Sequence, residues 1–132
     1  KIRMAISDDG IHFEKCNKQL IENKLGEFEA QASPDVFFHN NRYHMFFCYR
    51  GGKNYRSKEN GYRLGYASSE NLIDWKRNDK YVGITISEND FDNEMISYPH
   101  VFELNGKIHL LYLGNSVGKE GFGWATLENE LL

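Results

Sequence analysis

The stretch EMISYPHVFELNGKIHLLYLGN, Glu94 to Asn115, decides how this chain is read. Two runs of β-branched and aromatic residues flank Asn105-Gly106, and that dipeptide suits a type I′ turn, which needs positive φ at both central residues. The stretch therefore predicts a β-hairpin, led by Pro99 and preceded by the carboxylate of Glu94. An upstream twin, Ser33 to Arg50 (SPDVFFHNNRYHMFFCYR), aligns with Tyr98 to Asn115 without a gap. Pro34 matches Pro99, Val36 matches Val101, and Asn40-Asn41 match Asn105-Gly106.

A second pattern accompanies the hairpins. Met4 to Glu14 reads as a strand, a Ser7-Asp8-Asp9-Gly10 turn and the start of another strand. Leu64 to Trp75 repeats it, and Phe122 to Asn129 begins it again, with copies about 60 residues apart. Hairpin and turn motif recur in fixed order, so the repeat unit has four antiparallel strands, as in a propeller blade. The unit is longer than the ~40–50 residues usual for a blade. The surplus lies in loop 51–62, rich in Gly, Lys, Asn and Arg, and in loop 84–97, with Glu88, Asp90, Asp92 and Glu94. Long loops without an apolar period of their own are usually functional or disordered, and these lead into or out of the hairpins. Residues 1–32 read as the end of one blade, 33–90 as a complete blade and 91–132 as the start of the next. Asn17 to Gly26 reads as a loop or edge segment, with a short helix as the alternative. Such a set does not close on itself, so the rest of a longer chain or a second copy should cover the exposed blade faces.

The bulk properties agree with one β-rich domain. The chain has 132 residues, 14% of them aromatic, and a formal charge of −3, which disfavours a nucleic-acid surface. Lys53, Arg56, Lys58 and Arg63 form only a small basic patch, interleaved with Tyr55 and Glu59. No apolar run approaches the ~20 residues of a membrane-spanning helix, so no membrane partner is expected. Cys16 and Cys48 show no disulfide framework and favour a reducing, cytoplasmic setting. The chain opens at Lys1 directly in a strand-like run and reads as a fragment.

The grammar of Pro-x-Val, Asn-Gly and Tyr/Phe-rich second strands, followed by Gly65-Tyr66-Ala67-x-Ser69 and Trp75, resembles the five-bladed β-propeller glycosidases of glycoside hydrolase families 43, 32, 62 and 68. Tyr62 to Ala67, Glu94 to Pro99 and Leu113 to Ala125 are further similar to bacterial glycosidase-like proteins associated with polysaccharide clusters. The resemblance implies an all-β, partial five-bladed propeller of about two blades, with carboxylates on innermost strands around a funnel that admits a carbohydrate. The family often places Asp or Glu just before the strand-leading proline; here Ser33 and Tyr98 stand there.

Glycoside hydrolysis needs one carboxylic acid to protonate the leaving oxygen and a second carboxylate to activate water or attack. Glu94 is the candidate acid, Asp35 is the second carboxylate, and Asp92, close to Glu94 in the loop, is a candidate substrate contact. Against these stand a loop cap or salt bridge for Glu94 and an Asx-type turn for Asp35. Arg50 and Asn115 end the two hairpins, and Arg63 follows loop 51–62; all three are candidate substrate contacts, with blade-to-blade pairing as the alternative for the arginines. An arginine fork there suits an acidic sugar or sugar phosphate. Tyr98 and His100 are candidates for stacking on a sugar, whereas Trp75 and Trp124 are expected to pack. His44 and His109 align and read as a shared packing slot. Asp90, Asp92 and Glu94 alternate as calcium ligands do, but Met95 stands where an EF-hand loop needs Gly. Gly51-Gly52-Lys53 and the glycines 118, 121 and 123 lack the context of phosphate or dinucleotide loops. No metal and no cofactor is expected. A non-catalytic carbohydrate-binding or assembly module on the same fold is the alternative function.

Overall fold

The computed structural model describes residues 1–129 and 131. It is built of antiparallel strands in three sheets, the architecture of a partial β-propeller. β1 (Arg3–Ile6) pairs with β2 (Glu14–Gln19). β3 (Ala30–His39), β4 (Arg42–Arg50), β5 (Arg63–Ser69) and β6 (Lys76–Arg77) form the central sheet in that order, and β7 (Ser97–Leu104), β8 (Lys107–Leu113) and β9 (Phe122–Thr126) form the third. Residues 20–29 are loop, as the sequence suggests. Among the described residues no helix is long and apolar enough to cross a membrane.

Both predicted hairpins form, in matching registers. Asn40 and Asn41 have φ of 47° and 58°, and Asn105 and Gly106 have 53° and 74°, the positive values of a type I′ turn. The match extends to irregularities. Ser33 and Tyr98 have φ of 50° and 53°, and at each the strand pairing shifts, between Ala32 and Asp35 in β3 and between Ser97 and His100 in β7. A left-handed non-glycine residue costs roughly 1–2 kcal/mol, so each bulge is imposed by its surroundings.

The Ser-x-Asp/Asn turns repeat bond for bond. Ser7 Oγ accepts the N–H of Asp9 and Gly10, and Asp9 Oδ1 accepts those of Ile11 and His12. Ser69 Oγ likewise accepts from Asn71 and Leu72, and Asn71 Oδ1 from Ile73 and Asp74. Gly65 and Gly123 occupy equivalent positions in β5 and β9, the strands that follow the two hairpins, and each lies under an aromatic ring of its cross-strand partner, Phe47 and Tyr112.

β4 is buried along His44–Tyr49 on both faces. Phe46 and Cys48 join Leu64, Tyr66, Ile96, Val101 and Leu110 between the central and third sheets. Met45, Phe47, Tyr49 and Ala67 pack with Ile2 and Ile21 on the other side. His44 and His109 are both buried, each under the phenylalanine opposite it, Phe37 or Phe102, with ring centroids 5.3 and 5.4 Å apart. Trp75 packs against the second cluster as expected. Trp124 packs on one side only: its ring lies 5.5 Å from that of His109 and 6.1 Å from that of Phe102, but it remains 59% exposed because β9 is the edge of its sheet and its outer face carries no covering layer among the described residues.

A buried ion cluster ties the loop after β2 to the central sheet. Arg77 Nη1 donates to Glu29 at 2.7 Å and its Nε to Asp79 at 3.0 Å, with the guanidinium 4.4 Å from the Tyr49 ring centre. Burial pushes the Glu29 carboxyl up, but hydrogen bonds from Gln31, Arg77, Leu25 and Lys24 outweigh it and hold the group below its ordinary value.

Candidate active site

β3 and β7, the two strands that carry Pro34 and Pro99, lie against each other. Asp35, just past its bulge, reaches across this seam. Its Oδ2 accepts the N–H of Val101 and lies 3.0 Å from His100 Nδ1, so one carboxylate joins two strands that are 65 residues apart in sequence. The Asp35 side chain remains partly exposed and His100 is largely exposed, stacked on Phe102. Sequence-local turn contacts therefore do not account for Asp35.

Around the same seam sit Ser33, Tyr98 and Arg50. Tyr98 is 41% exposed, with its ring 6.1 Å from that of Tyr62. Arg50 Cζ lies 3.9 Å from the centre of Tyr55 and 5.5 Å from that of Tyr62, while Nη1 donates to the Gly51 carbonyl at 3.0 Å. Loop 51–62 thus folds its aromatics over the arginine that precedes it. Cys48 is buried below, where desolvation raises its thiol pKa and leaves it a packing residue.

The acidic loop is anchored residue by residue. Asp92 is buried and accepts from the hydroxyls of Ser87 and Tyr112, the latter at 3.0 Å. Burial and this bond to Asp92 push the Tyr112 phenol up to about 12. Phe91 stacks on Tyr112 and rests where a side chain at Gly114 would stand. Glu94 is exposed, and its backbone is fixed by Asn115 and Arg63. Asn115 is buried at the left-handed turn Asn115–Gly118, where Ser116 and Val117 have φ of 53° and 57°.

The structure therefore brings Asp35 together with His100, and places Ser33, Tyr98 and Arg50 about the same seam. Arg63, Asn115 and Asp92 belong to the framework of the loop that presents Glu94. Sequence reasoning missed Ser87, Tyr112 and Phe91 as anchors; Gly114 and Gly121, which leave room for Phe91, were the available signal.

No protein-family model matches the chain. An uncharacterised protein of Mycobacterium tuberculosis is 38% identical over 128 residues, covering 97% of this chain and 40% of its own length. A 1,2-β-oligomannan phosphorylase of Thermoanaerobacter is 27% identical over 113 residues, covering 85% of this chain and 34% of its own. Among solved structures, a glycoside hydrolase superposes with a TM-score of 0.69 at 16% identity, over 96% of this chain and 35% of that one. The chain thus spans less than half the length of these proteins, and its fold is that of the propeller glycosidases.

Proposed function

We propose that this chain is the site-bearing part of a carbohydrate-active propeller that cleaves a glycosidic bond with paired carboxylates. The observation that supports this best is Asp35: a partly exposed carboxylate held across the seam of two inner strands, beside an exposed histidine and tyrosine. Glu94 protonates the departing glycosidic oxygen and Asp35 acts as the base or nucleophile, the ~5–5.5 Å or ~6.5–9.5 Å spacing of such pairs setting retention or inversion. Arg50, Tyr98 and His100 contact the sugar. Residues 1–32, 33–90 and 91–132 belong to successive blades, and the remainder of a longer chain completes the ring. The test is sugar release from a panel of glycosides by the full-length protein. General acid catalysis contributes about 10²–10⁴-fold, so Glu94→Gln and Asp35→Asn should each lose at least about 100-fold. Intact glycan binding with no release by wild type would instead assign the fold to recognition alone.

Phosphorolysis is the second reading, favoured by the likeness to an oligomannan phosphorylase. Inorganic phosphate is already anionic, so a phosphate nucleophile needs no carboxylate base, which suits a chain with Ser33 and Tyr98 before its prolines. Release of a sugar 1-phosphate only when phosphate is supplied would select it over hydrolysis.

A further inference from the structure

Glu94 is held from two sides, and by bonds to its own main chain. Asn115 Oδ1 accepts the N–H of Glu94 at 2.9 Å and that of Met95 at 3.2 Å. Its Nδ2 donates to Asn93 Oδ1 at 2.8 Å and to Glu120 Oε2 at 3.1 Å. An asparagine amide offers two acceptor sites and two donors, so all four are taken. The residue is 3% exposed, and its backbone N–H donates to the Phe91 carbonyl at 2.8 Å. From the other side, Arg63 Nη1 donates to the Glu94 carbonyl at 3.0 Å, and the same guanidinium serves the carbonyls of Lys58, Gly61 and Tyr62. The N–H of Ile96 completes the attachment on the Tyr62 carbonyl at 3.1 Å.

The N–H and C=O of Glu94 belong to the peptide planes on either side of its Cα. Fixing both sets φ and ψ there, and with them the direction of the Cα–Cβ bond. The Asn115 amide has no capacity left over for a sugar hydroxyl without releasing the loop, and both Nη groups of Arg63 are turned onto main-chain carbonyls.

We propose that Asn115 and Arg63 are positioning residues: they aim the Glu94 carboxyl by holding its two flanking peptide groups, and they do not touch the carbohydrate. This rests on the reading of Glu94 as the acid. A 1 Å misplacement of a reacting group can cost about 100-fold in rate. In the full-length protein, Asn115→Ala should lower kcat about 10- to 100-fold and leave KM within about twofold. In a Glu94→Gln background the same change should alter the residual rate by less than about twofold, because it acts through the group already removed. Asn115→Asp retains the acceptor for both amides but sets a carboxylate oxygen against Glu120 Oε2, so it is paired with Glu120→Gln, whose amide can donate in return. That double variant should recover part of kcat, and it also serves if the alanine variant does not fold. A raised KM at unchanged kcat, or losses that multiply in the double variant, would mean direct sugar contact and overturn the proposal. Amide hydrogen exchange gives a readout that needs no substrate: Glu94 and Met95 should lose protection in Asn115→Ala, and unchanged protection also overturns it. Full activity in Glu94→Gln would sink the acid assignment instead, so the two failures are read separately.

Discussion

His44 illustrates how enclosure acts on a single titratable residue. Its Nδ1 lies 2.7 Å from the Tyr66 hydroxyl and its Nε2 3.1 Å from the His39 carbonyl, and it is 1% exposed. Burial, with His39 and Arg42 adding to it against the bond to the His39 carbonyl, lowers its pKa from the ordinary 6.5. The folded state therefore holds the ring neutral while the unfolded chain takes up a proton as pH falls below 6.5. Its contribution to stability is whole above that pH and declines below it, until the folded form also protonates. Urea midpoints should fall between neutral pH and about pH 5 in wild type, and fall less in His44→Gln. An equal pH dependence in both would remove His44 as the cause. At this scale the candidate site was only partly legible. Asp35, Glu94 and Arg50 stand out by residue type and by their place in the repeat. The roles of Arg63 and Asn115 were hidden because the groups they hold are main-chain atoms of a loop 31 and 21 residues away. Side-chain identity carries no mark of a backbone partner.

At the scale of the element, each hairpin is completed by a third strand whose glycine accepts an aromatic ring. A methyl group at Gly65 would meet Phe47, and one at Gly123 would meet Tyr112. Overpacking of this kind costs roughly 1–3 kcal/mol. Gly65→Ala and Gly123→Ala should both lower the midpoint of chemical denaturation, and Gly65→Ala with Phe47→Leu should recover part of the loss; additive losses would show that the ring is not what the methyl group meets. The hairpins were readable in advance because Asn-Gly and alternating apolar residues report local geometry. The bulges at Ser33 and Tyr98 were not. A residue before proline is pushed toward extended backbone, so their left-handed conformation opposes the local preference and comes from packing of the assembled sheets. Trp124 packs against its own sheet but keeps its outer face exposed for a related reason: the pattern of a strand states which face is apolar, not whether anything lies upon it.

Across the whole molecule, the Glu29–Arg77–Asp79 cluster joins the loop after the first sheet to the last strand of the central one. The side chains of Arg77 and Glu29 are 4% and 0% exposed, so neutralising Glu29 leaves the buried guanidinium with Asp79 as its remaining carboxylate partner. Stranding a buried charge typically costs about 3–5 kcal/mol, and Glu29→Gln, in which Asp79 still faces Arg77, should lose less than that by chemical denaturation. Because the folded pKa of Glu29 lies below 4.5, its ionised form contributes above that value and the contribution is lost as pH falls through the folded pKa. Wild type and Glu29→Gln should therefore converge in stability toward strongly acid pH; a constant gap would assign the loss to shape instead of charge.

The enclosure of β4 between two apolar layers makes one nine-residue strand answer to two neighbours at once. Odd and even positions along Met45–Tyr49 are constrained by different sheets, so evolution has no solvent-facing position on which to drift there. A saturation library selected for folded protein should show its most restricted columns along this segment, and a protease should leave it until the molecule opens as a whole.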